Sequence, residues 1–566
     1  MAQLPWKSPG PHDRTPVHRK LALSLLLVSG FIAAALTDCG GGGSTSTPPP
    51  PTGSPPPPSG PPPQPTTHTD VVTYRNDAGR TAQNLTESLL TLKNVSSTSF
   101  GLYRTLAVDG KVDAQPLYLA QLTIAGGTHN VVFVATEHDS VYAMDPVSGA
   151  TLWHVSLLPS GETPSDDRGC GQVSPEIGVT STPVIDRRAG PHGAIFAVAM
   201  SKDASSNYHQ RLHALDVTTG AELFNGPMSI NPSYSSPTGG TKTFSPGQYA
   251  ERAALLLVNQ TIYTSWTSHC DIQPYSGWIV GYSESTLAQT AVLNVAADSD
   301  AGPSIWMSGG GLTADSSGNI YLATANGQFD TTLTSAGLPE NGDYGNSFLK
   351  LSTAGGGLAV ADYFSPSNEV AESNADLDLG SGGVMLLPDV TDSGGIVRHL
   401  LLGAGKDGNL YVINRDDMGK FNPSSDMTWQ QLNGIFPSTV FSTPAYFNGT
   451  VYYGDVSNTL KAFPVIDAKL SSSPASETTT VFGYPGTSPA VSANGTSNGI
   501  VWAVEHAGTA VLHAYDATSL RELYNSSQAA GARDEFGAGN KFITPTIADG
   551  MVFVGTPKSV AVFALK

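Results

Sequence analysis

The stretch VYAMDPVSGATLWHV, residues 141–155, contains the pattern A-x-D-x-x-S-G-x-x-x-W. Two weaker copies follow: ALDVTTGAELF at residues 214–224 and AYDATSLRELY at residues 514–524. Each copy ends on an aromatic residue, and each follows an alternating apolar run that is typical of a strand. The repeat predicts a chain built from copies of one strand-and-turn unit.

The residues of the first copy have architectural roles. Asp145 can accept backbone N–H groups in the turn after a strand, and Gly149 can supply the positive φ that such a turn requires. Trp153 offers a flat ring for packing between neighbouring sheets, and Phe224 and Tyr524 fill the same slot in the weaker copies. The motif therefore predicts architecture and not catalysis.

Strand starts with a proline near the first residue recur along the chain, at a position that strands tolerate. They are QPLYL from residue 115, STPVID from 181, STPAYF from 442, TSPAVS from 487 and ITPTIA from 543. Three further units, without the proline, begin at residues 253, 309 and 382. Eight all-strand units at a spacing of roughly 45–70 residues indicate a propeller or a solenoid. We predict an all-β fold, an eight-bladed β-propeller of four-stranded antiparallel blades, over residues 101–566.

The two ends of the predicted propeller complement each other. The last unit holds three strands, and GLYRTLAV at residues 101–108 can supply a fourth. We predict that this N-terminal strand completes the last blade and closes the ring, which removes exposed strand edges. Residues 69–100 are then a lead-in segment, expected to lie against the outside of the propeller.

The composition limits the classes of partner. Net charge is −19 over 566 residues, and an acidic surface repels nucleic acid and anionic membrane. The chain contains no GxSxG, HExxH or P-loop motif, so the hydrolase, zinc-protease and nucleotide-binding sites that these motifs indicate are not predicted.

The N-terminus has the features of an export signal, residues 1–39. Basic residues precede an apolar run at residues 21–36, which is shorter than a membrane span. Cys39 and the glycines after it resemble the end of a bacterial lipoprotein signal, which implies lipidation of Cys39, although Asp38 departs from that pattern. Cleavage at the alanines of residues 33–35 is the alternative.

A Pro/Gly/Ser-rich linker, residues 40–68, separates this signal from the propeller. Polyproline segments are extended and build no core. We expect a monomeric protein that is exported to the bacterial envelope, in the periplasm or anchored to the outer membrane, or that is secreted. A lipid on Cys39 would be its single membrane contact.

Cys170 and Cys270 form an even pair in an exported chain, so a disulfide is predicted. Cys170 falls in a loop between blades and Cys270 in a loop after a second strand. In a four-stranded meander these two kinds of loop share a face. The same face collects acidic residues, histidines, Trp266 and Trp306, which indicates a ligand site or the ordinary polarity of propeller loops.

The repeat resembles that of pyrroloquinoline-quinone (PQQ) propellers, the quinoprotein alcohol dehydrogenases, and also that of propellers that bind no cofactor and serve as envelope scaffolds. Residues 320–421 resemble the dehydrogenase core in order and character. The resemblance implies a calcium-binding role for Asn326, a catalytic role for Asp343 and a quinone contact for Lys406. Hard oxygen ligands suit calcium, and a nearby cation suits a quinone that accepts hydride.

Other roles implied by the resemblance are less defined. Glu176 is the candidate for the calcium-binding glutamate, and Trp266 or Trp306 for the ring beneath the quinone. The adjacent cysteine pair of the family is absent, and Tyr344 follows Asp343 where the family has Asn. These departures weigh against an enzyme.

We therefore predict a propeller that acts mainly in binding or scaffolding, with an envelope protein or a small-molecule or polymer ligand as its partner, and we assign no cofactor to this role. The alternative is a periplasmic dehydrogenase of alcohols or sugars that uses PQQ and calcium. A second alternative is a polysaccharide-binding module whose contacts are Trp266, Trp306 and Tyr275.

Overall fold

The structure is a computed structural model that describes residues 68–300 and 302–566. The predicted signal, Cys39 and all of the predicted linker except His68 lie outside the described residues. The described chain is an eight-bladed β-propeller of small antiparallel sheets, which confirms the predicted fold class.

The first four blades lie in chain order around the axis. Blade 1 contains Leu117–Ile124, Gly127–Ala135, Ser140–Met144 and Thr151–Ser156. Blade 2 contains Val184–Asp186, Ala194–Lys202, Tyr208–Asp216 and Met228–Ser229. Blade 3 contains Leu256–Val258, Thr261–Ser268, Trp278–Ser283 and Gln289–Asn294, with Tyr249–Glu251 added to its second strand. Blade 4 contains Thr313–Ala314, Ile320–Ala323, Phe348–Ser352 and Ala359–Ser365.

The other four blades complete the ring. Blade 5 contains Met385–Leu386, Leu400–Ala404, Leu410–Asn414 and Gln430–Leu432. Blade 6 contains Ala445–Phe447, Thr450–Gly454, Asn458–Ile466 and Ser476–Phe482. Blade 7 contains Ala490–Asn494, Ser497–Glu505, Val511–Asp516 and Glu522–Asn525. Blade 8 contains Thr546–Ala548, Met551–Gly555 and Ser559–Leu565, and Phe100–Ala107 pairs antiparallel with the last of these.

Short elements decorate this frame. Thr163–Asp166 and Glu176–Ile177 extend blade 2, Lys420–Phe421 pairs parallel with blade 4, and Gln83–Asn84 pairs parallel with blade 7. The hairpins are Ser233–Ser235 with Thr241–Thr243 and Val390–Thr391 with Val397–Arg398, and Lys469–Leu470 folds onto blade 6. One α-helix, Glu369–Asn374, lies between blades 4 and 5. No helix in the described part of the chain has the length and apolar character of a membrane span.

The repeated motif has the structural roles that its residues predict. Asp145 accepts N–H groups from Val147 and Ser148 at 2.8 and 2.9 Å, and Gly149 has a φ of 79°. The Trp153 indole is buried and donates a 2.9 Å hydrogen bond to the carbonyl of Val217 in blade 2. The first copy of the motif therefore joins the turn of blade 1 to blade 2.

The aromatic residues of the weaker copies are less uniform. Tyr524 lies on the outer strand of blade 7 and is buried, and its hydroxyl donates to Asp534 at 3.0 Å. Phe224 lies in a turn with a φ of 55° and not on a strand. Its ring stacks on Phe196 of the same blade, so Phe224 packs on blade 2 from a turn and not from the outer strand.

Residues 71–84 lie on the propeller axis, so the expectation that the lead-in packs against the outside is wrong for these residues. The segment forms hydrogen bonds with the inner strand, or the residue before it, in all eight blades. The partners are Tyr118, Ile185, Leu255, Ala314, Leu386, Tyr446, Val491 and Ile547, in blade order. The polar segment TYRNDAGRTAQN suits this position because inner-strand edges offer unpaired N–H and C=O groups that need partners. We call residues 71–84 the axial plug.

Arg80 holds the centre of the axial plug. Its side chain is fully buried and donates to the carbonyls of Leu312, Leu255 and Tyr74 at 2.9, 3.0 and 2.8 Å. A Cβ on Gly311 would lie 2.9 Å from the Arg80 Nε, which explains why blade 4 has a glycine at the position that Thr182 occupies in blade 2. Burial lowers the pKa of Arg80 to about 10, so the guanidinium stays charged at neutral pH.

Candidate functional site

A cavity of about 330 Å³ lies on the propeller axis, on the face that carries Cys170 and Cys270. Its walls come from loops after second strands and from loops between blades, as the strand order predicts. A void of about 10 Å³ lies beneath it, and both are lined by Thr180, Arg252 and Phe542. Tyr74 of the axial plug lines the void. The cavity is therefore a blind pocket with a floor.

One position in the repeat supplies much of the floor and walls. It is the fourth residue before the inner strand of a blade, and six of the eight such residues line the cavity or the void. They are Asp113, Thr180, Arg252, Gly309, Phe441 and Phe542, from blades 1, 2, 3, 4, 6 and 8. We call them the axial ring.

The predicted disulfide is confirmed. Cys170 and Cys270 are bonded, with their Cα atoms 5.4 Å apart, and both line the cavity. The bond ties the loop before blade 2 to a loop of blade 3, so it fixes one wall of the cavity. Asp167 and Asp271 stand beside it.

Lys406 and Asp378 line the cavity together. The Lys406 ammonium lies 2.6 Å from Asp378 and 2.8 Å from Asp376. Burial disfavours its charged form, but the charge of Asp378 and the hydrogen bond to Asp376 outweigh burial and raise the pKa of Lys406. Burial also raises the pKa of Asp378. Asn326 belongs to this cluster, because its backbone N–H and its side-chain amide donate to Asp378 and Asp376 at 2.7 and 3.0 Å.

Asp343 lies in a different environment. It is buried in the loop between the second and third strands of blade 4 and is not among the residues that line the cavity. Burial, reinforced by the charges of Asp298 and Asp330, raises the pKa of Asp343 to about 6. The structure therefore brings Lys406 and Asn326 together, whereas Asp343 lies in a separate loop, close to the charges of Asp298 and Asp330.

The candidate aromatic residues separate into two groups. Trp306 lines the cavity and is half-buried. Trp266 is fully buried in blade 3, where its indole donates to Gln210 at 2.6 Å. Tyr275 is also buried. The expectation that Trp266 and Tyr275 are exposed contacts for a polymer is therefore wrong, because both rings belong to the core that joins blades 2 and 3.

Glu176 is paired with His138, whose Nδ1 lies 3.0 Å from its carboxylate, and it does not line the cavity. Among residues 68–300 and 302–566, no group of three or more His, Cys, Asp or Glu side chains is arranged to hold a metal ion. Near Asn326, the ammonium of Lys406 already lies between the two carboxylates. These contacts suit an ammonium at this position and do not fit a calcium site.

Two polar side chains in the cavity were not singled out from the sequence for their chemistry. Arg252, in the axial ring, is 9% exposed, and His269 is 4% exposed with no partner for Nε2 within the described chain. Burial, together with the charge of Arg168, lowers the pKa of His269 to about 4, so this imidazole is neutral at neutral pH. The sequence does mark Arg252 by its position in the repeat. It lies four residues before the inner strand of blade 3, the position that Thr180 occupies in blade 2.

Comparison with solved structures finds the same fold in alcohol and methanol dehydrogenases. A quinohemoprotein alcohol dehydrogenase from Comamonas testosteroni matches with a TM-score of 0.58 and 14% identity, over 88% of this chain and 80% of that chain. Quinohemoprotein alcohol dehydrogenase ADHIIG from Pseudomonas putida HK5 matches with a TM-score of 0.57 and 13% identity, over 88% and 80%. A europium-containing methanol dehydrogenase matches with a TM-score of 0.53 and 14% identity, over 88% and 98%.

These similarities establish a PQQ-like propeller fold and nothing finer, because folds of this kind host unrelated functions. No protein-family model matches the chain, and no curated protein matches its sequence.

Proposed function

We propose that the protein is an exported propeller of the bacterial envelope that binds a small organic molecule in its axial cavity, with binding as its main role. The observation that carries the proposal is the blind cavity of about 330 Å³ above the axial plug. Small-molecule sites are concave, span about 300–1,000 Å³ and combine apolar walls with a few polar groups. The cavity meets each of these criteria.

Export is supported by the predicted signal and linker and by the Cys170–Cys270 disulfide. Disulfides form and persist in the periplasm and outside the cell, and they are rare in the bacterial cytosol. The bond fixes one wall of the cavity, so an oxidising compartment would also maintain the site.

The proposal is tested by screening a diverse set of small organic molecules for thermal stabilisation of the purified protein. Gln172→Trp places a large ring at the mouth, because Gln172 is exposed and lines the cavity. Gln528→Trp is the matched control, at an exposed position outside the cavity. We expect hits whose stabilisation is lost in Gln172→Trp and kept in Gln528→Trp. Hits unaffected by Gln172→Trp would refute the proposal, and no hits would favour an envelope protein as partner.

The PQQ- and calcium-dependent dehydrogenase remains a second candidate, because Lys406 and Trp306 both line the cavity of a PQQ-like fold. The position of Asp343 and the lysine between Asp376 and Asp378 weigh against it. Calorimetric titration with PQQ, with and without calcium, decides between the two. Calcium-dependent binding that Lys406→Ala and Asp343→Ala both weaken would make the dehydrogenase the better proposal.

A further inference from the structure

Arg252 is a buried cation without a salt-bridge partner among the described residues. Its residue is 9% exposed, and no hydrogen bond or ion pair within residues 68–300 and 302–566 reaches its guanidinium. The guanidinium carbon lies 5.0 Å from the centre of the Phe542 ring. Buried charges are costly unless they are paired, and a guanidinium presents five N–H donors. Arg252 therefore offers unused donors at the floor of the cavity.

The carboxylates near Arg252 are already engaged. Asp113 accepts from Lys111 at 2.9 Å. Burial acts to raise its pKa, but the charges of Lys111 and Arg252 together lower the pKa of Asp113 to about 2, so this one carboxylate faces two cations. A further cation stands close by, since burial and the charges of Arg252 and Lys111 together lower the pKa of Lys541. In a chain with a net charge of −19, this end of the cavity is locally positive.

Acidic groups occupy the other walls. Asp378 is paired with Lys406 at 2.6 Å, and Asp167 and Asp271 stand beside the disulfide. The cavity is therefore polarised, and an anionic group would be directed towards Arg252 and away from these carboxylates. One unpaired guanidinium suits one carboxylate, in a bidentate arrangement.

Four aromatic side chains that line the cavity form one cluster, in which Phe441, Tyr484 and Phe542 contact one another and Trp306 contacts Phe441. Ring centres lie 5.8 Å apart for Trp306 and Phe441, 5.6 Å for Phe441 and Tyr484, and 6.2 Å for Tyr484 and Phe542. These rings come from four different loops between blades, and Tyr484 is 49% exposed. A flat ligand ring that packs against this aromatic cluster would gain apolar contacts and edge-to-face contacts.

We propose that the axial cavity binds an aromatic carboxylate, with the carboxylate on the Arg252 guanidinium and the ring against Trp306, Phe441, Tyr484 and Phe542. This inference rests on the proposed small-molecule function and names its ligand class. The volume of about 330 Å³ limits the ligand to a compact ring system.

The test is calorimetry on the purified protein with benzoate and 2-naphthoate, and with benzamide and 2-naphthamide as uncharged analogues of the same shape. We expect the carboxylates to bind and the amides to bind at least tenfold more weakly. Arg252→Gln should weaken carboxylate binding about thirtyfold or more. Arg252→Lys should keep the preference for the carboxylate, and Arg188→Gln, at a side chain that is 90% exposed, should change nothing.

Three outcomes would overturn the inference: no binding of either carboxylate at millimolar concentration, equal binding of acid and amide, or undiminished binding in a folded Arg252→Gln. Circular dichroism and the thermal midpoint check the folding of each variant, and Arg252→Lys keeps the test valid if Arg252→Gln does not fold. Hits of other chemistry in the small-molecule screen would leave the proposed function intact while this inference fails. Failure of the screen as well would remove both.

Discussion

His506, in the loop after the second strand of blade 7, and His513, on the third strand, are both buried, yet their pKa values shift in opposite directions. Burial lowers the pKa of His506 to about 4, although its Nδ1 contacts the carbonyl of Asn540 at 2.6 Å. Burial acts on His513 in the same sense, but its hydrogen bonds to the Glu505 and Glu522 carboxylates, at 2.8 and 2.7 Å, outweigh burial and raise the pKa. Carboxylate neighbours decide which imidazole is charged.

We predict that His506 makes the protein acid-sensitive. Its folded pKa lies below the unfolded value of about 6.5, so its contribution to stability is present above pH 6.5 and is lost as the pH falls towards 4. The loss is about 2–3 kcal/mol. Urea unfolding of His506→Gln should show a flatter fall in the free energy of unfolding across this range. An unchanged slope would contradict the assignment.

His513→Gln is the matched variant with the opposite sign. The raised folded pKa means that the His513 contribution is present below pH 6.5 and is lost as the pH rises through the folded value. We therefore expect His513→Gln to destabilise the protein most at acid pH, whereas His506→Gln relieves a loss there. The same urea titration, repeated from pH 4 to pH 8, measures both.

At the scale of elements, the strands were predictable and the axial plug was not. Strand starts such as STPVID and the apolar runs after them carry their own signal, because alternation and turn residues act locally. The plug is polar, and nothing in TYRNDAGRTAQN reveals that its partners are eight inner strands far away in sequence. The site was predictable to the same degree: the face and the disulfide follow from strand order, whereas the sequence shows only the position of Arg252 in the repeat, and its burial depends on loops distant in sequence.

The axial plug should be a major source of stability. Arg80→Ala removes hydrogen bonds to Leu312, Leu255 and Tyr74 and leaves buried carbonyls without donors. We expect the free energy of unfolding to fall by about 4 kcal/mol or more. Arg188→Ala, at an exposed arginine, should change it by less than about 0.5 kcal/mol. Equal effects of the two variants in urea unfolding would refute this role for the plug.

The disulfide links two loops across 100 residues of sequence, so its loss should loosen both the chain and the cavity wall. We expect the Cys170→Ser, Cys270→Ser double variant to lose about 2–5 kcal/mol in the free energy of unfolding. A reducing agent should destabilise the native protein by a similar amount and leave the double variant unchanged. A native protein that is insensitive to reduction would contradict this expectation.

At the scale of the whole molecule, the two ends of the propeller meet in blade 8. The strand Phe100–Ala107 pairs with Ser559–Leu565 along its whole length, and the axial plug just before it contacts every blade. The N-terminal part of the described chain is thus held at two places: residues 71–84 on the propeller axis, and Phe100–Ala107 in the sheet of blade 8. A substitution that weakens the packing of the closing strand should therefore lower the stability of the whole propeller.

Phe100→Ala tests this coupling. The Phe100 ring is fully buried, and its centre lies 5.4 Å from Trp502, 5.0 Å from Tyr524 and 6.3 Å from Phe563. Truncation of such a ring costs about 3–5 kcal/mol. Because the ring is closed, we expect one cooperative transition with a lower midpoint and faster amide hydrogen exchange in blades 1 and 8 alike. Leu85→Ala, at a side chain that is 41% exposed, should leave both measurements unchanged. Faster exchange confined to blades 7 and 8 would mean that the blades unfold independently and that closure does not couple them.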